Sequence, residues 1–157
     1  MLEGFWYIAG KSTAIRTGRP FAAVLCNQPL ALFRDGQGRV HALEDRCPHK
    51  GVPLSSARQE GDSLRCPFHG WRFIASGECI EVPPIGSLPH PSLTSACVKT
   101  FPVEERDGWV WVYIGNEQRP KPSSPPPSLP VPADGSPMVS VRESAEANVR
   151  CDFAVDS

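Results

Sequence analysis

Long apolar runs are missing from this 157-residue chain. No stretch approaches 18 consecutive hydrophobic residues, so no membrane-spanning helix is expected. A surplus of charge is missing too. Sixteen Lys and Arg stand against 17 Asp and Glu, a net charge of −1. Nucleic acid and anionic membranes call for a basic excess, so neither is an expected partner. The opening residues, MLEGFWYIAGKS, hold no basic leader, no long apolar core and no small-residue cleavage pattern. No signal peptide is expected, and the cytoplasm is the expected compartment. Six cysteines, Cys26, Cys47, Cys66, Cys79, Cys97 and Cys151, are too dilute for a secreted disulfide scaffold. Helical periodicity is equally scarce, with no 3.6-residue apolar stripe before residue 143.

Proline and glycine are abundant, at 18 and 13 residues. They imply many turns and a β-rich chain. Strands are expected at 5–9, 21–26, 30–34 and 39–43. Asp35-Gly36-Gln37-Gly38 reads as the hairpin turn between the last two, since glycine supplies the positive φ that tight turns need. A second hairpin is expected from Trp71-Arg72-Phe73 through Ala75-Ser76-Gly77-Glu78 to Cys79–Val82. A third pairs 98–104 with 109–114 around Asp107-Gly108. In its second strand Trp109, Trp111 and Tyr113 share one face, and Val110, Val112 and Ile114 the other, which predicts burial on both sides. The expected fold class is all-β, a small antiparallel sandwich or barrel. Residues 116–137 contain eight prolines and few large apolar side chains. They read as an extended linker or a strap over the surface. Beyond them, 138–142 and 148–156 are strand-like and 143–147 favours helix.

The chemistry concentrates in two short segments. Cys47-Pro48-His49 is followed, after 16 residues, by Cys66-Pro67-Phe68-His69. Two thiolates and two imidazoles are enough donors for a tetrahedral metal site. Each segment has a proline after its cysteine and a glycine soon after its histidine, Gly51 and Gly70. Glycine lets the backbone approach something bulky and leaves N–H groups free to face it. A mononuclear zinc site could use the same four donors. Zinc modules more often pair Cys with Cys and His with His, whereas one Cys and one His per loop suits a two-iron cluster.

Cys47-Pro48-His49-Lys50-Gly51 and Cys66-Pro67-Phe68-His69-Gly70-Trp71-Arg72-Phe73 resemble the two cluster loops of Rieske proteins. More narrowly, they resemble the N-terminal domain of Rieske non-haem iron oxygenases. The resemblance extends to FWYIAG, LALFRDGQGRVHALEDRCPH and DGWVWVYIG, and covers roughly residues 5–115. It implies a cluster-binding subdomain of two loops on the β fold. It also implies a [2Fe–2S] cluster with Cys47 and Cys66 on the buried iron and His49 and His69 on the outer one. Reduction of such a cluster is expected to couple to proton uptake at the imidazoles.

The same resemblance implies a Rieske domain over 1–115, a linker over 116–137, and a tail over 138–157 like the start of an oxygenase catalytic domain. Its function would be one-electron transfer, serving mono- or dioxygenation or demethylation in a full-length enzyme. The mononuclear Fe(II) of that enzyme, held by two His and a carboxylate, is expected in a missing domain, because no His follows His90. Expected partners are a reductase or ferredoxin, and the oxygenase domain of a neighbouring subunit in a trimer. The alternative is a free-standing Rieske-type ferredoxin, against which the segment beyond Gly115 weighs. A zinc-stabilised interaction module is a third reading.

High-potential Rieske proteins carry an extra Cys in each loop and a Ser after the second His-Gly. Lys50-Gly51, Phe68 and Trp71 occupy those places here, so a potential of about −150 mV is expected. The remaining candidates read blandly. Cys26, Cys79 and Cys97 are expected to be small buried hydrophobes. His41 reads as a surface or cross-strand residue, and His90 as a solvated loop residue. Arg46 and Lys50 are either solvated or positioned to tune the cluster or meet an acidic partner. Trp71 is expected to pack in the core rather than relay electrons. Asp152 and Asp156 have no downstream His with which to build a metal site.

Overall fold

Turn-forming residues at short intervals divide the chain into short strands. The computed structural model describes residues 4–83, 86–87, 96–116 and 118–129. His90, Cys151, Asp152, Asp156 and the whole 138–157 tail lie outside them. The strands are β1 (Phe5–Lys11), β2 (Phe21–Leu25), β3 (Gln28–Arg34), β4 (Val40–Glu44), β5 (Arg58–Glu60) and β6 (Ser63–Arg65). They continue with β7 (Arg72–Ile74), β8 (Cys79–Val82), β9 (Gly86–Ser87), β10 (Thr100–Phe101), β11 (Val103–Arg106) and β12 (Trp109–Ile114). Among the described residues there is no α-helix, only 3-10 turns at Ser12–Ala14 and Leu54–Ser56. No helix there is long and apolar enough to cross a membrane. All pairings are antiparallel, in three sheets ordered β1-β12-β11, β10-β4-β3-β2 and β5-β6-β7-β8-β9.

The period-2 alternation of β3 and β4 divides the interior. Leu30 and Leu32 of β3, with Val40 and Ala42 of β4, pack against Ile15, Val110 and Val112. Ala31, Phe33 and Leu43 point the other way, onto Leu54, Leu64, Phe73, Cys47 and Cys66. The β3–β4 hairpin is thus buried on both faces. One core ties it to the β1-β12-β11 sheet, and the other carries the loops with the paired Cys and His. Phe33 and Phe73 are fully buried, and burial of each side chain stabilises by about 2–3 kcal/mol.

β12 is buried on both sides, as its pattern implies. Its Val110, Val112 and Ile114 join the core. Its aromatic face lies against 118–129, which form a strap. Trp6 Nε1 donates to the Ser124 carbonyl at 2.8 Å, Tyr113 Oη to the Arg119 carbonyl at 3.1 Å, and the Leu129 N–H to Asp107 at 3.0 Å. Gly115 leaves room for this approach, since a Cβ there would sit 2.7 Å from the Arg119 carbonyl.

Several expectations are corrected. Cys26 does not end a strand. With Asn27 it forms the β2–β3 turn at φ 51° and 60°, although its side chain is buried. The expected strand 98–104 is broken at Pro102, which has no N–H for a ladder. The chain changes sheets there, β10 pairing with β4 and β11 with β12. Cys97 is exposed rather than buried, because it lies in an isolated bridge to Glu78 beyond the sheet. β5 has no apolar alternation to announce it. Its buried Gln59 accepts from the Gly18 N–H and donates to the Arg34 and Gly61 carbonyls.

In the β3–β4 turn Gly38 supplies the positive φ, at 83°. The buried Asp35 organises the rest, accepting from the Gln37 and Arg39 N–H groups at 2.9 and 2.8 Å. Its other oxygen meets Arg39 Nε at 2.9 Å and His41 Nε2 at 2.8 Å. His41, half-buried and across from Phe33, is therefore a cross-strand residue. The His41 contact is the first cause holding the Asp35 carboxyl well below the usual range. Burial opposes it, and the Arg39 and Gln37 bonds reinforce it. A depressed carboxyl contributes stability that is present above its unfolded pKa, about 4, and is lost as pH falls through the folded value. Urea midpoints should therefore fall below about pH 4 in the parent protein and fall less in Asp35→Asn. Equal losses in the two proteins would contradict this assignment.

Candidate metal centre

The two Cys/His segments fold into matching loops. In the first, the Cys47 N–H donates to the Val52 carbonyl at 2.8 Å, and the Gly51 N–H returns to the Cys47 carbonyl at 2.8 Å. In the second, the Cys66 N–H donates to the Trp71 carbonyl at 2.8 Å, and the Gly70 N–H to the Cys66 carbonyl at 3.0 Å. Each glycine is four residues after its cysteine and has positive φ, 73° at Gly51 and 71° at Gly70. Counted from the histidines the loops look unequal; counted from the cysteines they are the same turn. A Cβ at Gly70 would also sit 2.8 Å from Pro83 Cγ, so this position is closed to larger residues for two reasons.

The geometry sorts the donors by depth. Cys47 and Cys66 are 2% and 3% exposed, inside the Phe33–Leu64–Phe73 core. His49 and His69 are exposed, their ring centroids 4.6 Å apart. Among the described residues, no three His, Cys, Asp or Glu side chains gather where a single ion could touch them all. The donors instead form two pairs at different depths.

The electrostatics follow from that layout. Burial pushes the Cys47 thiol up to about 11. The His49 and Lys50 N–H groups aimed at its sulfur work against this, and the neighbouring Cys66 adds to it. Backbone N–H groups pointing at sulfur favour a thiolate bound to a cation. His49, though exposed, is pulled below its ordinary value, first by partial desolvation and then by the charges of His69 and Lys50. Both causes favour the neutral imidazole, the form that binds metal. Buried thiols, paired imidazoles and inward N–H groups fit a two-metal sulfide cluster of the Rieske kind. They fit a single tetrahedral ion poorly.

Each loop is braced by residues that the motif alone does not mark. Asp45 accepts from the Ser55 N–H and hydroxyl, both at 2.6 Å, and so closes the first loop from outside. The Arg65 guanidinium donates to the Gly70 carbonyl at 3.0 Å and to both Glu81 oxygens at 3.0 and 2.9 Å. It also donates to Glu60 at 2.8 Å. Arg72 reaches Glu81 and the Ser63 hydroxyl. The register could have signalled this, because Arg65 faces Arg72 and Arg72 faces Glu81 across β6, β7 and β8. Two facing arginines need a shared acid. Trp71 is both a core residue and a neighbour of the site: it packs on the inner core and stacks on His49 at 4.7 Å and 6°. Arg46 and Lys50 are solvated, and Phe68 is 59% exposed.

Arg65→Gln removes the donors that hold Gly70 while leaving Glu81 to Arg72. Arg65 is partly exposed, so solvent screens part of the effect. We expect a loss of about 1–2 kcal/mol, read as a lower urea midpoint at constant slope. An unchanged midpoint would show that the brace contributes nothing.

Comparison with known proteins agrees with this geometry. The Rieske [2Fe-2S] domain family model matches residues 5–102. The iron-sulfur subunit of the toluene-4-sulfonate monooxygenase system of Comamonas testosteroni is 44% identical over 121 residues, covering 77% of this chain and 34% of that one. The oxygenase subunit of 3-chlorobenzoate-3,4-dioxygenase from the same species is 38% identical over 120 residues, covering 75% and 27%. The crystal structure of apo dicamba monooxygenase matches with a TM-score of 0.71 at 34% identity, covering 81% of this chain and 38% of that one. The chain spans about a third of the length of these relatives. Matching loops, the donor sorting and the match over 5–102 lead to one conclusion: this chain belongs to the Rieske [2Fe–2S] domain family.

Proposed function

We propose that Cys47, His49, Cys66 and His69 hold a Rieske [2Fe–2S] cluster, the two thiolates on the inner iron and the two imidazoles on the outer. We further propose that the chain is the electron-transfer part of a Rieske non-haem iron oxygenase component. The observation that carries this reading is the matched loop pair, which buries both thiols and brings both imidazoles to the surface. When bound, the cluster supplies reversible one-electron chemistry. The chain's own residues do the rest. Cys47 and Cys66 anchor the site in the apolar core, and His49 and His69 present ring edges where a partner can approach. The His49 and Lys50 amides favour thiolate sulfur at Cys47.

In this reading the electron arrives from a reductase or ferredoxin. It leaves for a mononuclear iron in an oxygenase domain of a neighbouring subunit, in a trimer. The oxygenase names of the relatives support this destination. The Rieske domain runs over 1–115, the strap belongs to a linker over 116–137, and 138–157 begins the next domain. The compartment is the cytoplasm, where the thiols outside the cluster stay reduced.

The low-potential form of the cluster follows from Lys50-Gly51 and Phe68, which leave no cysteine pair to bridge the loops, and from Trp71 in place of a hydroxyl donor. A redox titration should give about −150 mV, near the bottom of the Rieske range. A clearly positive potential would sink that part. His49→Ala and His69→Ala should each lose the visible spectrum; a spectrum kept in either variant would overturn the ligand assignment.

A further inference from the structure

The two loops match in backbone turn but place their histidines two and three residues after the cysteine, and they differ again five residues after it, where the side chain gives the two histidines unequal surroundings. The residue five after the cysteine accepts that cysteine's N–H in both loops: Val52 in the first, Trp71 in the second. Val52 has no ring to offer. The Trp71 indole crosses from its own loop to the other and lies flat on His49, with centroids 4.7 Å apart and planes within 6°. Its far side is anchored, packed on the inner core and 6.5 Å from the Phe73 ring. His69 meets the His49 ring at a tilt of 56° and the Phe68 ring at 49°. Phe68 is itself 59% exposed.

We propose that Trp71 is a positioning residue that fixes the ring plane of His49, one of two imidazoles that already differ in loop position. Its backbone closes the second loop and its side chain braces the first, so one residue sets both loops against each other. The stack holds one face of His49 away from water and limits rotation about its outer side-chain bond. His69, bordered by an exposed phenylalanine, is the softer of the two. This rests on the cluster assignment above, in which the ring plane of each histidine sets its overlap with the outer iron.

The test uses the cluster-loaded protein with ¹⁵N-labelled histidine, reduced with dithionite. Hyperfine spectroscopy then reads each coordinated nitrogen separately. Parent protein should give two distinct histidine couplings. Trp71→Leu keeps an apolar side chain but removes the ring. It should shift or broaden one coupling and leave the other in place, and Trp71→Phe should restore the parent pattern. A Leu variant with both couplings unchanged overturns the proposal, and so does a Phe variant altered as much as Leu. Should the Leu variant not take up the cluster, the Phe variant decides alone: parent-like couplings support the brace, and altered ones overturn it. Parent protein with no histidine coupling would instead overturn the cluster assignment, so the two failures are distinguishable.

Discussion

Two hydrogen bonds per loop, one from the cysteine N–H and one back to the cysteine carbonyl, fix where the Cys and His side chains of each loop point. The turn they close needs a left-handed residue four positions after the cysteine, and Gly51 and Gly70 supply it. Once it closes, the sulfur is directed into the core and the histidine into solvent. Those bonds would be weak in water. They hold because the loops close over a core of Phe33, Leu64 and Phe73 that excludes it.

The rest of the fold keeps those loops in register. The β3–β4 hairpin serves two cores at once, so the five-stranded sheet that carries the second loop is packed directly onto it. The same strands that hold Val110 and Val112 on one side hold the cysteines' surroundings on the other. Charged side chains brace the points where loops leave strands, Asp45 by hydrogen bonds from Ser55 and Arg65 by a hydrogen bond to Gly70 and an ion pair with Glu81. Trp71 joins one loop to the other. The strap over β12 covers aromatic side chains that would otherwise be wet.

Much of this was legible in the sequence because the signals are local. The Asp35–Gly38 turn, the Asp107-Gly108 turn and the two-faced alternation of Trp109–Ile114 each lie within a few residues. The four proposed donors lie within two segments of three and four residues, and those segments carry the likeness to the Rieske family that the match over 5–102 bears out. What escaped depends on distant neighbours. Cys26 and Asn27 adopt left-handed φ in a turn that no glycine marks. Pro102 divides a strand-like run because its two halves pair with different sheets. β5 is held by the hydrogen bonds of Gln59 rather than by apolar alternation. The core packing of Trp71 was expected, but its flat contact with His49 exists only once the two loops meet.

The central claim is that two buried thiolates and two surface imidazoles hold a two-iron, two-sulfide cluster. Its most direct test is an iron and acid-labile sulfide count on the purified protein, with EPR after dithionite reduction. The account predicts about two irons and two sulfides per chain, and a one-electron signal lost in His49→Ala and His69→Ala. Zinc without sulfide, and no signal on reduction, would contradict it.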